Sequence, residues 1–356
     1  MSSRVVIARG ALDLLGRRIR RELPGARRVA VVSDRNVARL YAPRALRTLR
    51  HAGLEPELHV LPAGETTKRV ASLERLWRGF ADQDLGRGDV VVALGGGVIG
   101  DLAGFAAATW LRGVAWVGVP TSLLAQVDSS IGGKTGVDQP AGKNLVGAFH
   151  QPVLVVVDPA LLATLPVRHL RAGLAEVVKL GMAVDAALFR SCERSLDPLT
   201  RREPAALTRV IERAIRIKQR VVRSDERERP GGPRTALNFG HTLGHAYEAA
   251  RDFRGILHGE AVAIGMRFAA ALSEHTLGLA PSQRARLERL LDRLKLPRRL
   301  RGVRVAALDA AMRLDKKRAG SEPLWVLTPK IGHASVPRPV ERRLLKETLV
   351  SFGAEN

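Results

Sequence analysis

The chain has 356 residues, 46% of them apolar, and a net charge of +23. That length suggests two domains, each able to bury its own core, while no apolar run approaches the ~18 residues of a membrane span and the start, Met1-Ser2-Ser3-Arg4, has no signal-peptide core. Cys192 is the only cysteine, which excludes an intrachain disulfide and a thiolate metal cluster and suits a cytoplasmic location.

Residues 4–28 read as a short strand and a basic amphipathic helix starting near Ala11. Val29–Ser33 is a buried-strand run, followed by Asp34-Arg35-Asn36 where parallel α/β sheets place ligands. A helix over about 37–52, a strand near Glu57–Leu61 and a polar loop, Gly64–Lys68, come next. The following helix turns Leu73, Leu76 and Trp77 inward. Asp89–Leu94 is the clearest strand and runs into Gly95–Asp101, then an Ala-rich helix, Leu102–Trp110. A strand at Ala115–Val119 ends in Pro120-Thr121-Ser122, and Val153–Asp158 closes the sheet. The stretch between them, to residue 150, shows little secondary structure, and long loops in compact domains are more often functional. From Leu161 helical periodicity dominates to about Leu314, and Leu324–Leu327 with a turn at Lys330–His333 suggests a late hairpin. Strand–helix alternation followed by helices predicts α/β plus all-α: a Rossmann-like parallel-sheet domain over 1–160, then a mostly helical domain over 161–356.

The positive charge is diffuse. Arginine-rich helix faces at Arg17–Arg28 and Arg284–Arg304 carry no stacking aromatics and no zinc-finger spacing, so no nucleic-acid partner is expected. Attraction of an anionic small substrate is the better use.

Gly95-Gly96-Gly97-Val98-Ile99-Gly100 matches a dinucleotide-binding turn between strand and helix, where glycine admits a pyrophosphate and the helix N-terminus favours anions. Asp101 is unusual there, and the acid expected some 20 residues on is missing. Asp34 and Asn36, then Glu65 and Lys68, are the nearest candidates for hydroxyl contacts. Asp128, Lys134, Lys143 and Asn144 sit among glycines, where lysine can approach an anion. Three of the nine histidines fall between Asn238 and Glu260. His241 and His245, four apart, share a helical face, and His258 follows a short break. Such a group suggests a metal, an acid–base site, or both. Glu176 and Lys179, three apart, share a helical face, which reads as a surface salt bridge or, for Glu176, as the acidic partner of the histidines, since His2Glu is a common catalytic zinc set. Lys218, Arg234 and Asn238 lie upstream, and converging cations suit phosphate and carboxylate.

The chain resembles the 3-dehydroquinate synthase family of the sugar-phosphate cyclase superfamily. The residues that carry this are Gly95–Asp101, Pro120–Ala125, Asp128–Gly136, Gly142–Phe149, Ala175–Lys179, Asp225–Glu228, Asn238–His245, His258–Met266 and Asp315-Lys316-Lys317. The resemblance implies bound NAD, one zinc or cobalt ion, and a cleft between the two domains. The expected substrate is 3-deoxy-D-arabino-heptulosonate 7-phosphate, converted to 3-dehydroquinate and phosphate by transient oxidation, phosphate elimination, re-reduction and aldol closure, a step of the shikimate pathway. It further implies Glu176, His241 and His258 as metal ligands. NAD contacts would be Asp34, Asn36, Glu65, Lys68, Gly96, Gly97, Asp101, Thr121, Ser122 and Lys143. Substrate contacts would be Asp128, Lys134, Asn144, Lys179, Lys218, Arg234, Asn238, His245 and Lys317 (or Lys316), with Lys134, Asn144 and Arg234 on the phosphate. His245 and Glu228 are the acid–base candidates, alongside Asp128 and Lys134, and Arg112 would reach a neighbouring subunit's site in a homodimer. Ala172 replaces a small polar residue, and the stretch around Pro230-Gly231-Gly232 is slightly longer than the family pattern. The competing readings are a cyclase for an aminated or a neutral sugar phosphate and a metal-dependent polyol dehydrogenase. Lys218, Arg234 and Asn238 favour a carboxylate-bearing substrate over the neutral sugars, and a dehydrogenase has no use for Lys134, Lys143 and Arg234 around a phosphate.

Overall fold

The computed structural model describes residues 3–139, 142–229, 231–316 and 323–355. The chain forms two compact units, Met1–Leu165 and Pro166–Asn356.

The first unit is built on six strands: β1 (Arg4–Ile7), β2 (Arg28–Asp34), β3 (Glu55–Leu61), β4 (Val90–Gly95), β5 (Ala115–Pro120) and, after a hairpin, β8 (Leu154–Val157). They lie in the order β1-β8-β5-β4-β2-β3, all parallel. The inner strands are nearly continuous apolar runs because both faces are covered. Val29 and Val31 of β2 join one core with helices α1 (Leu15–Glu22) and α2 (Arg35–His51). Ala30 and Val32 join the other, with α3 (Val70–Asp82) and α4 (Gly97–Thr109). Successive residues of a strand point to opposite faces, so one run of valines serves two cores.

Four details depart from expectation. Helix α4 begins at Gly97 rather than Leu102, so the glycines form its first turn. A Cβ at Gly95 would sit 2.6 Å from that of Ile99, which is why the turn can be this tight. The supposed loop before residue 150 contains an antiparallel hairpin, β6 (Lys134–Gln139) and β7 (Gly142–Phe149). Its glycines are strand positions of close backbone approach: a Cβ on Gly147 would lie 2.1 Å from the Thr135 carbonyl oxygen. Strand β8 does not close the sheet but inserts between β1 and β5, leaving β1 and β3 as the edges. The late hairpin reduces to isolated bridges, Trp325 with Arg338 and Lys330 with His333. Trp77 is only partly buried, packed against its core beside Leu73 and Leu76.

The second unit is helical: α5 (Val167–Ala183), α6 (Ala186–Thr200), α7 (Pro204–Ser224), α8 (His241–Ala250), α9 (His258–Leu277), α10 (Pro281–Arg293), α11 (Val305–Lys316) and α12 (Arg342–Ser351). From Ala172 to Ala183 every residue of α5 is buried, as is every residue of α9 from Ala261 to Ser273. Helices apolar all round belong in a core. Glycines set their spacing. A Cβ on Gly259 would lie 2.0 Å from the Ala172 carbonyl oxygen, and one on Gly265 would lie 1.9 Å from that of Gly240. Gly240 itself has φ +80°, the left-handed conformation that glycine adopts at no steric cost. Cys192 of α6 is buried, and burial pushes its thiol up to about 12. No described helix is long and apolar enough to cross a membrane.

Asp185 caps α6, accepting from the Leu188 N–H at 2.7 Å and from Arg213 at 2.9 Å. Burial raises its pKa, but these two bonds outweigh it and hold the carboxyl below the usual range. A depressed folded value means stability that is present above the unfolded value and lost as pH falls through the folded one. Asp185→Ala is expected to cost about 1 kcal/mol at neutral pH. In acid denaturation monitored by circular dichroism, that difference should close as the wild-type carboxyl protonates.

Candidate active site

The helical unit gathers the histidines. His241 is the first residue of α8 and His258 the first of α9, while Glu176 lies in the buried centre of α5. The first turn of α9 is clamped: Glu260 accepts the Leu257 N–H at 2.9 Å and takes both arms of the Arg168 guanidinium, at 2.6 and 2.7 Å. Ring centroids stand 5.0 Å apart for His241–His245, 5.3 Å for His241–His258 and 5.7 Å for His245–His258. One nitrogen from each ring lies within 4.8 Å of the others.

Glu176 is 1% exposed. Its Oε1 is 3.5 Å from Nε2 of His258 and 3.9 Å from Nε2 of His241, and its Oε2 is 2.5 Å from Nζ of Lys179. Neither oxygen makes a well-aligned hydrogen bond. Burial raises the Glu176 pKa, but the Lys179 ammonium and His258 outweigh it and hold the carboxyl below the usual carboxylate range. Burial lowers His258, yet Glu176 and Glu248 on either side push it up to about 10. A buried carboxylate oxygen without a good donor, facing two imidazole Nε2 atoms, fits a divalent zinc or cobalt ion by ligand type.

Beside this cluster lies a second polar group. Asn238 ends a 3-10 turn, Pro233–Asn238, and donates to Glu228 Oε1 at 2.9 Å. Arg234 reaches the Glu226 carbonyl at 2.6 Å and stands 4.0 Å from Glu228 Oε2. Glu228 adopts φ +52°, uncommon for a non-glycine residue. Arg234, Lys218 and Lys179 are 3%, 6% and 1% exposed. Cations this deep call for anionic partners. Asn238 does not cap α8; Gly240 holds that position. Pro230 and Lys317 lie outside the described residues, and Lys316 ends α11.

In the α/β unit the expected NAD residues other than Lys143, which lies in β7, sit at or just after the carboxyl ends of β2, β3, β4 and β5, where open parallel sheets bind ligands. Gly96 precedes α4 and Gly97 begins it. The Thr121 N–H donates to the Gly95 carbonyl at 2.9 Å, which sets Thr121 and Ser122 against that turn. Asp34 caps α2, accepting from the N–H groups of Asn36 and Val37 at 2.9 and 3.1 Å. Lys143 pairs with Glu65 at 3.0 Å. Lys68 is buried, bonded to Asn144 Oδ1 and 2.5 Å from Asp101 Oδ2. Asn144 sits at φ +55°, its N–H donating to Asp138 at 2.9 Å. Asp128 lies in a π turn, Ala125–Ser129, and Lys134 begins β6, exposed. Arg112 is exposed at φ +68°, next to Leu111 at φ +49°.

Two residues escaped the sequence reading. Asp138 fixes the Asn144 backbone, and nothing in its surroundings in sequence marks it. Glu248 bonds Nδ1 of His258 at 3.0 Å. Its signal is spacing: it lies seven residues after His241, two turns along the same helix.

A parallel nucleotide-type sheet followed by a helical unit with a histidine–carboxylate cluster is the architecture of the sugar-phosphate cyclases. A 2-epi-5-epi-valiolone synthase from Streptomyces hygroscopicus, solved with NAD+ and Zn2+, superposes with a TM-score of 0.91 at 29% identity, covering 99% of this chain and 97% of that one. A 2-deoxy-scyllo-inosose synthase complexed with carbaglucose-6-phosphate, NAD+ and Co2+ gives 0.89 at 26%, covering 98% and 96%. The chain belongs to the 3-dehydroquinate synthase family. The family models for 3-dehydroquinate synthase N-terminal and C-terminal regions match residues 58–172 and 173–318. It is 48% identical to the 3-dehydroquinate synthase of Symbiobacterium thermophilum over 93% of this chain and 92% of that protein. The expected family and fold class are borne out.

Because Gly259 meets the Ala172 carbonyl, Gly259→Ala should force the first turn of α9 away from α5. Overpacking of this kind costs about 1–3 kcal/mol. Thermal unfolding should register that loss, and chelator competition should show weaker zinc retention than in Gly88→Ala, where an added Cβ meets open space and the backbone is not left-handed.

Proposed function

We propose that this chain is a carbon–oxygen lyase that converts 3-deoxy-D-arabino-heptulosonate 7-phosphate to 3-dehydroquinate and phosphate. The observation that carries this reading is the set of buried cations, Lys179, Lys218 and Arg234, in the same unit as the histidine–carboxylate cluster. Side chains of this kind recognise a substrate bearing both a carboxylate and a phosphate better than a neutral polyol. Relatives that match 93% and 97% of the chain carry the corresponding name.

Glu176, His241 and His258 would hold the metal, and the residues at the strand ends, from Asp34 to Ser122, with Lys143 of β7, would hold NAD. When bound, the metal supplies Lewis-acid polarisation of substrate oxygens and NAD a reversible hydride acceptor. The rest falls to the chain. Lys134, Asn144 and Arg234 bind the phosphate, while Lys218 and Asn238 suit the carboxylate. Lys179 holds Glu176 ionised and so keeps it fit as a ligand. His245 is exposed, whereas the His241 side chain is 12% exposed. That difference supports His245 as the group that moves a substrate proton at its imidazole nitrogen. Glu228, bonded to Asn238, is the second acid–base group, and Asp128 and Lys134 complete the catalytic set.

Arg112 is assigned to a neighbouring subunit's site in a homodimer. Two consecutive left-handed non-glycine residues, Leu111 and Arg112, both exposed, form the kind of outlier that a binding contact explains. A reducing, cytoplasmic setting suits the single buried thiol.

Incubated with the heptulosonate phosphate, NAD and zinc or cobalt, the protein is expected to release phosphate with no net NADH. Absence of phosphate from fully metallated protein would overturn the assignment. His241→Ala should lose the metal, whereas His245→Ala should keep it and lose rate by about 10²-fold or more. Metal content by atomic spectroscopy, set against turnover, separates the two, and equal metal loss would remove the distinction between these histidines.

A further inference from the structure

Glu248 is 3% exposed on α8, next to buried Ala246 and Tyr247. An ionised carboxylate at that depth costs several kcal/mol unless a partner compensates it. Its Oε2 lies 3.0 Å from Nδ1 of His258, whose other ring nitrogen, Nε2, lies 3.5 Å from Glu176 Oε1. The two nitrogens of an imidazole are linked: a proton held at Nδ1 leaves the lone pair on Nε2. Helix geometry, the Glu260–Arg168 clamp and the Gly259 contact fix the backbone of His258. None of these fixes the rotation of its ring.

We propose that Glu248 is a positioning residue for the metal centre: by accepting the Nδ1–H of His258, it sets the ring and its tautomer so that Nε2 is presented as the donor facing Glu176 and His241. This rests on the metal assignment made under the proposed function. Helix α8 then supplies a ligand, His241, at its first residue and the anchor of another ligand two turns on. Carboxylate partners of this kind also raise the basicity of the ligating nitrogen, and their loss typically costs about 10- to 100-fold in metal affinity.

The test titrates metal-free protein with cobalt(II), following the visible absorption bands, and measures zinc affinity against a chromophoric chelator. Glu248→Ala is expected to bind either metal about 10- to 100-fold more weakly, with shifted cobalt bands and unchanged NAD affinity. Glu248→Gln keeps an acceptor for Nδ1–H but lacks the charge, and should lose less than Glu248→Ala. Melting of each metal-free variant separates positioning from folding. If both variants lower the metal-free melting temperature and lose affinity equally, the role is structural and the proposal fails. If Glu248→Ala binds metal like the wild type while His258→Ala does not, the positioning role fails and the metal assignment stands. If His258→Ala also binds like the wild type, the metal assignment itself fails.

Discussion

The carbonyl oxygen of Ala172 occupies the space where a side chain at position 259 would begin, 2.0 Å from a Cβ placed there. The carbonyl oxygen of Gly240 does the same to position 265. Through these two contacts α9 comes within backbone distance of α5 on one side and of the start of α8 on the other. Glu176, His241 and His258 come from those three helices, and Glu176 is far from the two histidines in sequence. Their side chains are short, so they converge only because the backbones do.

Burial then determines what the gathered groups can be. Helix α5 would be an ordinary core helix but for Glu176 and Lys179, three residues apart and both 1% exposed. An isolated buried carboxylate would protonate, and burial alone pushes Glu176 that way. The ammonium one turn on reverses the outcome. The same reasoning applies to Arg234, a deep cation whose Nε stands 4.0 Å from Glu228 Oε2. The α/β unit works differently. There Lys68 ties Asp101 to Asn144, and Asp138 holds Asn144 in a left-handed turn. Its polar groups are organised by bonds among themselves at the ends of the strands.

The parallel sheet is legible in the sequence because Val29–Val32 and Val90–Leu94 are apolar at every position, the mark of strands covered on both faces. The two-part division is legible because strand signals nearly vanish after Leu161 and helical periodicity takes over. The hairpin before residue 150 is not legible, since its glycines are also the commonest loop signal; only pairing reveals that Gly136 and Gly147 face each other across two strands. Spacing brings His241 and His245 together on one face but cannot show that Glu176, a candidate by its chemistry, meets them; the packing of α5 against α9 explains that. Glu248 escapes because helical periodicity places it on a stripe without saying which ring from another helix will meet it.

The lone thiol of Cys192 has a practical consequence. Burial holds the proton on its sulfur well above the usual thiol range, so Cys192 carries little thiolate at neutral pH and its sulfur is out of reach. A maleimide or spin label would therefore pass it by. A single cysteine introduced on an exposed helix face would be the chain's one reactive thiol, with no need to remove the native residue and leave a hole in the α6 core. The protein is, in effect, already prepared for site-specific spectroscopy.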